Sequence, residues 1–260
     1  MNQRKHPAAV LALDFDGVIC DSLEECLVSS YNAYQRLEGS DRWVETPEEI
    51  PPDVAGRFRR NRHYARNAPE FWIIIHWALR GRDDMDARRF DALVLEHAGR
   101  LTEFESAFFK ARRDLSGADM ERWLGLSRMY PAFRDGWQEV RERLPVHLVT
   151  TKDLVSVRIF NERWDLDIPD ENLWTKEMGQ PKPEIVRRVA ELEGLSPHDM
   201  LFLDDHPHHV RAVAATGARS FWAAWGFLGA RRPGPIDDEG TIFIRLTRMA
   251  DLLPFLEASC

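Results

Sequence analysis

Val10-Leu11-Ala12-Leu13-Asp14-Phe15-Asp16-Gly17-Val18 is the stretch that decides how the chain is read. An unbroken apolar run of strand length suits a strand buried on both faces, and Asp14 and Asp16 end it abruptly. Similar runs recur at Val146 to Val149, Leu201 to Leu203, Ser220 to Ala224 and Ile242 to Leu246. Helical patterns lie between them, over Asp135 to Arg143, Leu154 to Arg163, Glu184 to Glu193 and His208 to Thr216. Strands alternating with helices predict an α/β fold with a doubly wound, Rossmann-like parallel sheet.

Ser22 to Arg128 reads differently. It shows no ladder of strands but helix-like stretches at Glu24 to Leu37, Pro69 to Arg80, Ala87 to Leu101, Glu103 to Arg113 and Met120 to Met129. Pro47, Pro51 and Pro52 break it early and Gly81 breaks it later. The expectation is an all-helical domain, residues 22–128, inserted into a core made of residues 1–21 and 129–260.

Composition narrows the function classes. The net charge of −8 offers no global basic field for nucleic acid. No apolar run approaches the roughly 18 to 20 residues of a membrane span. Ala8 to Leu13 is too short for a signal-peptide core. Cys20, Cys26 and Cys260 have no metal-like spacing and are odd in number, which argues against a disulfide framework and for a reducing cytoplasm.

In an open parallel sheet, ligands gather beyond the carboxyl ends of the strands. The residues there are Asp14, Phe15, Asp16 and Gly17 after the first run, Thr150, Thr151 and Lys152 after the second, and Asp204 and Asp205 after the third. Lys182 precedes a predicted helix in Pro181-Lys182-Pro183. One edge thus collects carboxylates, hydroxyls and amines. Carboxylate oxygens suit Mg²⁺, which also relieves repulsion between neighbouring acids. Lysine and hydroxyl groups can hold the remaining phosphate oxygens, and a carboxylate is a competent nucleophile toward phosphorus.

Asp14-Phe15-Asp16-Gly17-Val18-Ile19-Cys20-Asp21-Ser22 resembles the first motif of the haloacid dehalogenase superfamily. Leu148 to Lys152 resembles the second, Lys182 the third, and Phe202-Leu203-Asp204-Asp205 the fourth. Ala214 to Ala218 and Ala224-Trp225-Gly226 look like the phosphoglycolate phosphatase-like branch. The resemblance implies a Mg²⁺-dependent phosphatase acting on a small phosphorylated metabolite, with neither nucleic acid nor membrane as partner, and a helical cap. It makes Asp14 the nucleophile and Asp16 the general acid and base. Thr150 and Lys182 would hold the phosphoryl group, and Phe15, Gly17, Thr151 and Lys152 would complete the phosphate cradle. Asp14, Asp16 through its backbone carbonyl, and Asp205 would bind the metal, with Asp204 a further candidate. Dehalogenases of this family lack the second aspartate, so Asp16 favours ester hydrolysis. One position departs from the pattern: His209 stands where the family often has Asp or Asn.

Each feature also has a plainer reading. Thr150 and Thr151 could simply cap the helix that follows, before Asp153 and Leu154. His206, His208 and His209 read as a solvated loop and helix start. Arg57-Phe58-Arg59-Arg60-Asn61-Arg62-His63-Tyr64-Ala65-Arg66 reads first as a solvated helix face, then as a grip for an anionic substrate, with a nucleic-acid arm as a further alternative. Phe71 to Trp77 reads as a buried helix rather than an aromatic substrate box. A phosphomutase, a phosphonatase and a catalytically weak binding or regulatory protein remain alternatives. Lys110, the one lysine between Ser22 and Arg128, lacks a phosphonatase-like context.

Overall fold

The structure is a computed structural model that describes residues 9–228 and 244–257. The basic start, positions 242 and 243 of the last predicted strand, and Cys260 lie outside the described residues. The chain runs through β1 (Val10–Leu13), β2 (Cys20–Asp21), α1 (Leu23–Leu37), α2 (Pro52–Asn61), α3 (Phe71–Leu79), α4 (Ala87–Glu96), α5 (Ala98–Ala118), α6 (Met120–Gly125) and β3 (Arg128–Met129). It continues with α7 (Pro131–Arg143), β4 (Val146–Val149), α8 (Leu154–Arg163), β5 (Leu173–Trp174), α9 (Lys182–Glu193), β6 (Met200–Asp204), α10 (Pro207–Ala214), β7 (Arg219–Ala223), β8 (Ile244–Leu246) and α11 (Leu253–Glu257). Two compact units emerge, residues 1–21 with 129–260, and residues 22–128.

In the first unit, six strands pair in the order β5-β4-β1-β6-β7-β8, all parallel. The α/β fold expected from the apolar runs is the one observed. β1 is central and fully buried, flanked by β4 and β6. The chain builds outward through β4 and β5, then crosses back to lay down β6, β7 and β8. This reversal beside β1 is the switch point where parallel sheets open a crevice. Leu13 is in register with both Leu148 and Leu203, so Asp14 and Asp204 leave the sheet at one level.

The strands need two-sided cover, and α9 and α10 supply part of it. Ile185, Val186 and Val189 from α9 pack with Val10, Ala12, Met200, Phe202 and Val213. α7 starts earlier than its apolar pattern, at Pro131, and bends where Asp135 leaves helical geometry and Gly136 takes a φ of 102°. The predicted start at Asp135 therefore marks that bend. β5 has two residues and gives no periodic signal; it exists because Leu148 and Val149 offer it a parallel ladder.

The second unit is helical, with α1 against α3 and α5. Three expectations need correction. Pro52 opens α2 rather than breaking the chain, because proline at a first helical position forfeits no internal hydrogen bond. The predicted helix over Ala87 to Leu101 is two helices parted at His97, and the second absorbs Glu103 to Arg113. The predicted helix to Met129 ends at Gly125. Phe71 to Trp77 is a buried helix segment, apart from half-buried His76.

Charges in this unit are paired internally. Glu25 is fully buried and accepts from Arg112 Nε at 2.8 Å, Arg112 Nη2 at 2.6 Å and Ser29 Oγ at 2.7 Å. The Arg112 guanidinium also lies over Phe108, 4.8 Å from its ring centre. Among the five arginines of the basic stretch, Arg57 and Arg60 meet Asp83, Arg59 grips Glu24 with two bonds of 2.7 Å, and Arg66 pairs with Glu70 and Asp91. Arg62 lies over Phe71 and donates to the Ala65 carbonyl. The stretch is thus a helix and turn whose arginines are braced by acids and an aromatic ring of the same unit.

Arg112→Met leaves the Glu25 carboxylate buried without its cation. It should cost about 3–5 kcal/mol in denaturant unfolding, and a loss below 1 kcal/mol would contradict the buried pair. His76 gives a pH signature. It stacks on Trp72 at 4.4 Å and its Nδ1 is 3.0 Å from Tyr34 Oη. Burial, then the nearby Arg80, His97 and Arg100, push its pKa down to about 4. The unfolded chain takes up this proton near pH 6.5 and the folded chain does not, so His76 lowers stability as pH falls from 6.5 toward 4. An NMR titration should show its ring still neutral at pH 5.

Candidate active site

Four segments of the first unit supply the expected residues. Phe15 to Cys20 forms a tight loop after β1, in which the Phe15 carbonyl accepts from the N–H groups of Ile19 at 2.9 Å and Cys20 at 3.0 Å. Gly17 must take a φ of 87° to close it. The Phe15 ring turns into the core beside Phe160 and Trp164, so only its backbone faces outward chemistry. Asp14 and Asp16 then emerge on the site edge, Asp14 buried and Asp16 partly exposed.

The centre of the site is a chain of charges. Lys182, the first residue of α9, would be disfavoured there by the helix dipole unless anions met it. Its Nζ donates to Asp204 Oδ2 at 2.7 Å and lies 2.9 Å from Asp14 Oδ1. The Lys182 ammonium thus stands between the two carboxylates. Burial raises the Asp14 pKa, with Lys182 opposing. Burial works against the Lys182 charge, but Asp14 and Asp204 more than offset it and hold its pKa above the usual lysine value. Asp204 is buried as well, yet Lys182 and His209 keep its pKa far below the carboxylate range.

Asp204 is heavily engaged. Its Oδ1 accepts from the His206 N–H at 2.8 Å, and its Oδ2 lies 3.2 Å from His209 Nδ1. His206 caps α10 by accepting from the His208 N–H, and His208 is exposed. The plain reading therefore holds for His206 and His208, while His209 joins the charged chain. Asp14, Asp204 and His209 present ligand atoms within 4.8 Å of one another, but the Lys182 ammonium already lies against both carboxylates.

Asp205 is held separately. Its Oδ2 accepts from the Phe227 N–H at 3.0 Å. A Cβ on Gly17 would come within 2.2 Å of the Asp205 carboxyl carbon, and one on Gly226 within 2.4 Å of both Asp205 Cβ and the Gly17 carbonyl. Trp222 Nε1 donates to the Asp205 carbonyl and Trp225 Nε1 to the Val18 carbonyl, each at 2.8 Å. This latch after β7 was signalled only by Ala224-Trp225-Gly226; Trp222 and Phe227 escaped sequence reading because an indole donor and a loop amide carry no spacing signature.

Thr150 is buried, and its Oγ1 accepts from the Lys152 N–H at 3.2 Å. Thr151 is exposed. Helix capping at α8 is done by Asp153, which accepts from the Ser156 N–H at 2.9 Å, so neither threonine serves that purpose. Lys152 is buried and reaches Asp16 Oδ1 at 3.2 Å.

Solved structures of haloacid dehalogenase-superfamily hydrolases share this fold. A phosphoglycolate phosphatase from Mannheimia succiniciproducens is 21% identical over 226 residues, covering 84% of this chain and 86% of the relative. Among solved structures, a predicted phosphoglycolate phosphatase from Haemophilus somnus aligns with a TM-score of 0.60 at 13% identity, over 97% of this chain and 99% of that one. A haloacid dehalogenase-superfamily hydrolase from Geobacter sulfurreducens aligns with a TM-score of 0.52 at 18% identity, over 98% and 99%. No protein-family model matches the chain.

Gly226→Ala forces a methyl group into Asp205 and the Gly17 carbonyl. It should destabilise the chain by about 1–3 kcal/mol in denaturant unfolding, and an unchanged midpoint would show that the latch is loose.

Proposed function

We propose that the chain is a Mg²⁺-dependent phosphatase that hydrolyses a small organic phosphate monoester through an aspartyl-phosphate on Asp14. The observation that carries this reading is the buried Asp14 carboxylate at the end of the central strand, with the Lys182 ammonium 2.9 Å from its Oδ1. A carboxylate is a competent nucleophile toward phosphorus, and a nearby cation lets a phosphoryl dianion approach it. The named phosphatase relative supports the same reaction class.

The donor set fits a hard divalent cation. Asp14, Asp205 and the Asp16 backbone carbonyl would hold it, all through oxygen. Asp204 is better suited to supporting Lys182, since its two oxygens already meet an ammonium, an amide and an imidazole. When bound, the cation neutralises charge between the substrate phosphate and the aspartates.

The chain's own groups then divide the work. An Asp14 oxygen attacks phosphorus, and the bond to the ester oxygen breaks as Asp16 gives that oxygen a proton. Asp16, now a carboxylate, takes a proton from water as the water oxygen attacks phosphorus and the bond to Asp14 breaks. Thr150 and Lys182 steady the phosphoryl oxygens through both steps. In this reading residues 22–128 have the role of the family's cap. Asp16 and the absence of a phosphonatase-like lysine context put phosphate release ahead of dehalogenation, phosphonate cleavage and mutase chemistry.

Asp14→Asn should lower turnover of 4-nitrophenyl phosphate in Mg²⁺ by at least about 10³-fold while the variant stays folded by circular dichroism. Rapid quenching of the parent enzyme should leave a phosphate mass increment on the Asp14 peptide. Wild-type turnover by the variant would sink the nucleophile assignment.

A further inference from the structure

Lys152 is a buried cation of the first unit that the proposed steps leave unused. Its side chain is 0% exposed. An ammonium taken wholly out of water costs several kcal/mol unless it is paired. Its Nζ meets Asp16 Oδ1 at 3.2 Å, and the rings of Phe15 and Phe160 lie 5.5 and 5.8 Å from it. Two aromatic faces favour a cation at that spot and give it an apolar floor.

The backbone of Lys152 is fixed as firmly as its head. Its N–H donates to Thr150 Oγ1 at 3.2 Å, and its carbonyl accepts from the Lys176 N–H at 3.1 Å. Asp153 follows directly as the cap of α8. The stem therefore leaves an anchored turn, runs between two rings and ends on one oxygen of Asp16. The Asp16 side chain keeps 19% exposure.

We infer that Lys152 is a positioning residue for proton transfer: it fixes the Asp16 carboxyl through Oδ1 so that Oδ2 carries the proton to the leaving ester oxygen. This differs from the cradle role expected from sequence, in which Lys152 touches the phosphate. It rests on the assignment of Asp14 and Asp16 made above. The step is the first half-reaction already described. The Asp14 oxygen–phosphorus bond forms, the phosphorus–ester oxygen bond breaks, and the proton on Asp16 Oδ2 moves to the departing oxygen, so that alcohol is released and Asp16 remains a carboxylate. A good leaving group departs as its anion and needs no such proton; a poor one does.

The consequence is a substrate-dependent defect. The test compares 4-nitrophenyl phosphate with phenyl phosphate, two esters of nearly the same shape and different leaving ability. The parameter is kcat/KM, which reports the step in which the alcohol departs. For Lys152→Met, phenyl phosphate should lose about 30-fold and 4-nitrophenyl phosphate about threefold. In an Asp16→Asn background the same substitution should cost less than about twofold on phenyl phosphate, because the group it positions is gone. Lys152→Arg, which keeps the cation, should recover part of the phenyl phosphate rate. Should the Met variant fail to fold by circular dichroism, Lys152→Gln carries the same comparison.

Equal losses on both esters, with weaker inhibition by inorganic phosphate, would assign Lys152 to phosphate binding and overturn the inference. Losses that persist undiminished in the Asp16→Asn background would make it a purely structural lysine and overturn it too. Absence of turnover of either ester by the parent chain would instead remove the phosphatase reading on which both rest.

Discussion

A buried lysine must be answered by buried acids, and in this molecule that requirement organises the site. Lys182 opens a helix whose dipole repels it, in a place where water does not reach. Asp14 and Asp204 answer it from adjacent central strands. The strands can do so because Leu13 and Leu203 are paired in parallel register, which puts both acids at one height. A slip of one residue would turn the acids to opposite faces of the sheet and leave the ammonium unpaired. The sheet's alignment and the site's charge balance are therefore one constraint.

The same economy explains why the two aspartates of the fourth motif differ. Asp204 lies inside the charged chain and is satisfied by protein groups on both oxygens. Asp205, one residue on, points the other way along the strand's alternation and lies against Gly17 and Gly226. Neighbouring carboxylates thus avoid each other by taking separate partners. His209 fits the first of these environments. An imidazole at that position reinforces Asp204, and through it Lys182.

Much of this was legible in the chain itself. Val10–Leu13, Val146–Val149 and Leu154–Arg163 are each long enough, and apolar or periodic enough, to announce themselves with their bounds. The motif residues were visible because chemistry restricts them to few residue types after strands. What escaped reading depends on distant partners. β5 is a strand only by virtue of β4. The break at His97 falls two residues before Gly99, which lies inside the next helix and so marks the wrong place. Pro52 sends opposite signals in a loop and at a helix start, and only the folded unit decides between them. The Lys152–Asp16 contact joins residues 136 positions apart, beyond any local pattern.

The two glycines around Asp205 have a consequence for how such a site can change over generations. Side chains that ring a pocket usually drift by small exchanges, each partly compensated by its neighbours. Around Asp205 no small exchange exists, since even a methyl group on Gly17 or Gly226 would overlap the carboxylate or a backbone atom. Drift is blocked at Gly17, Asp205 and Gly226 together. His209, by contrast, sits beside Asp204 with no backbone atom pressed against it by this constraint, so an exchange there faces no such block.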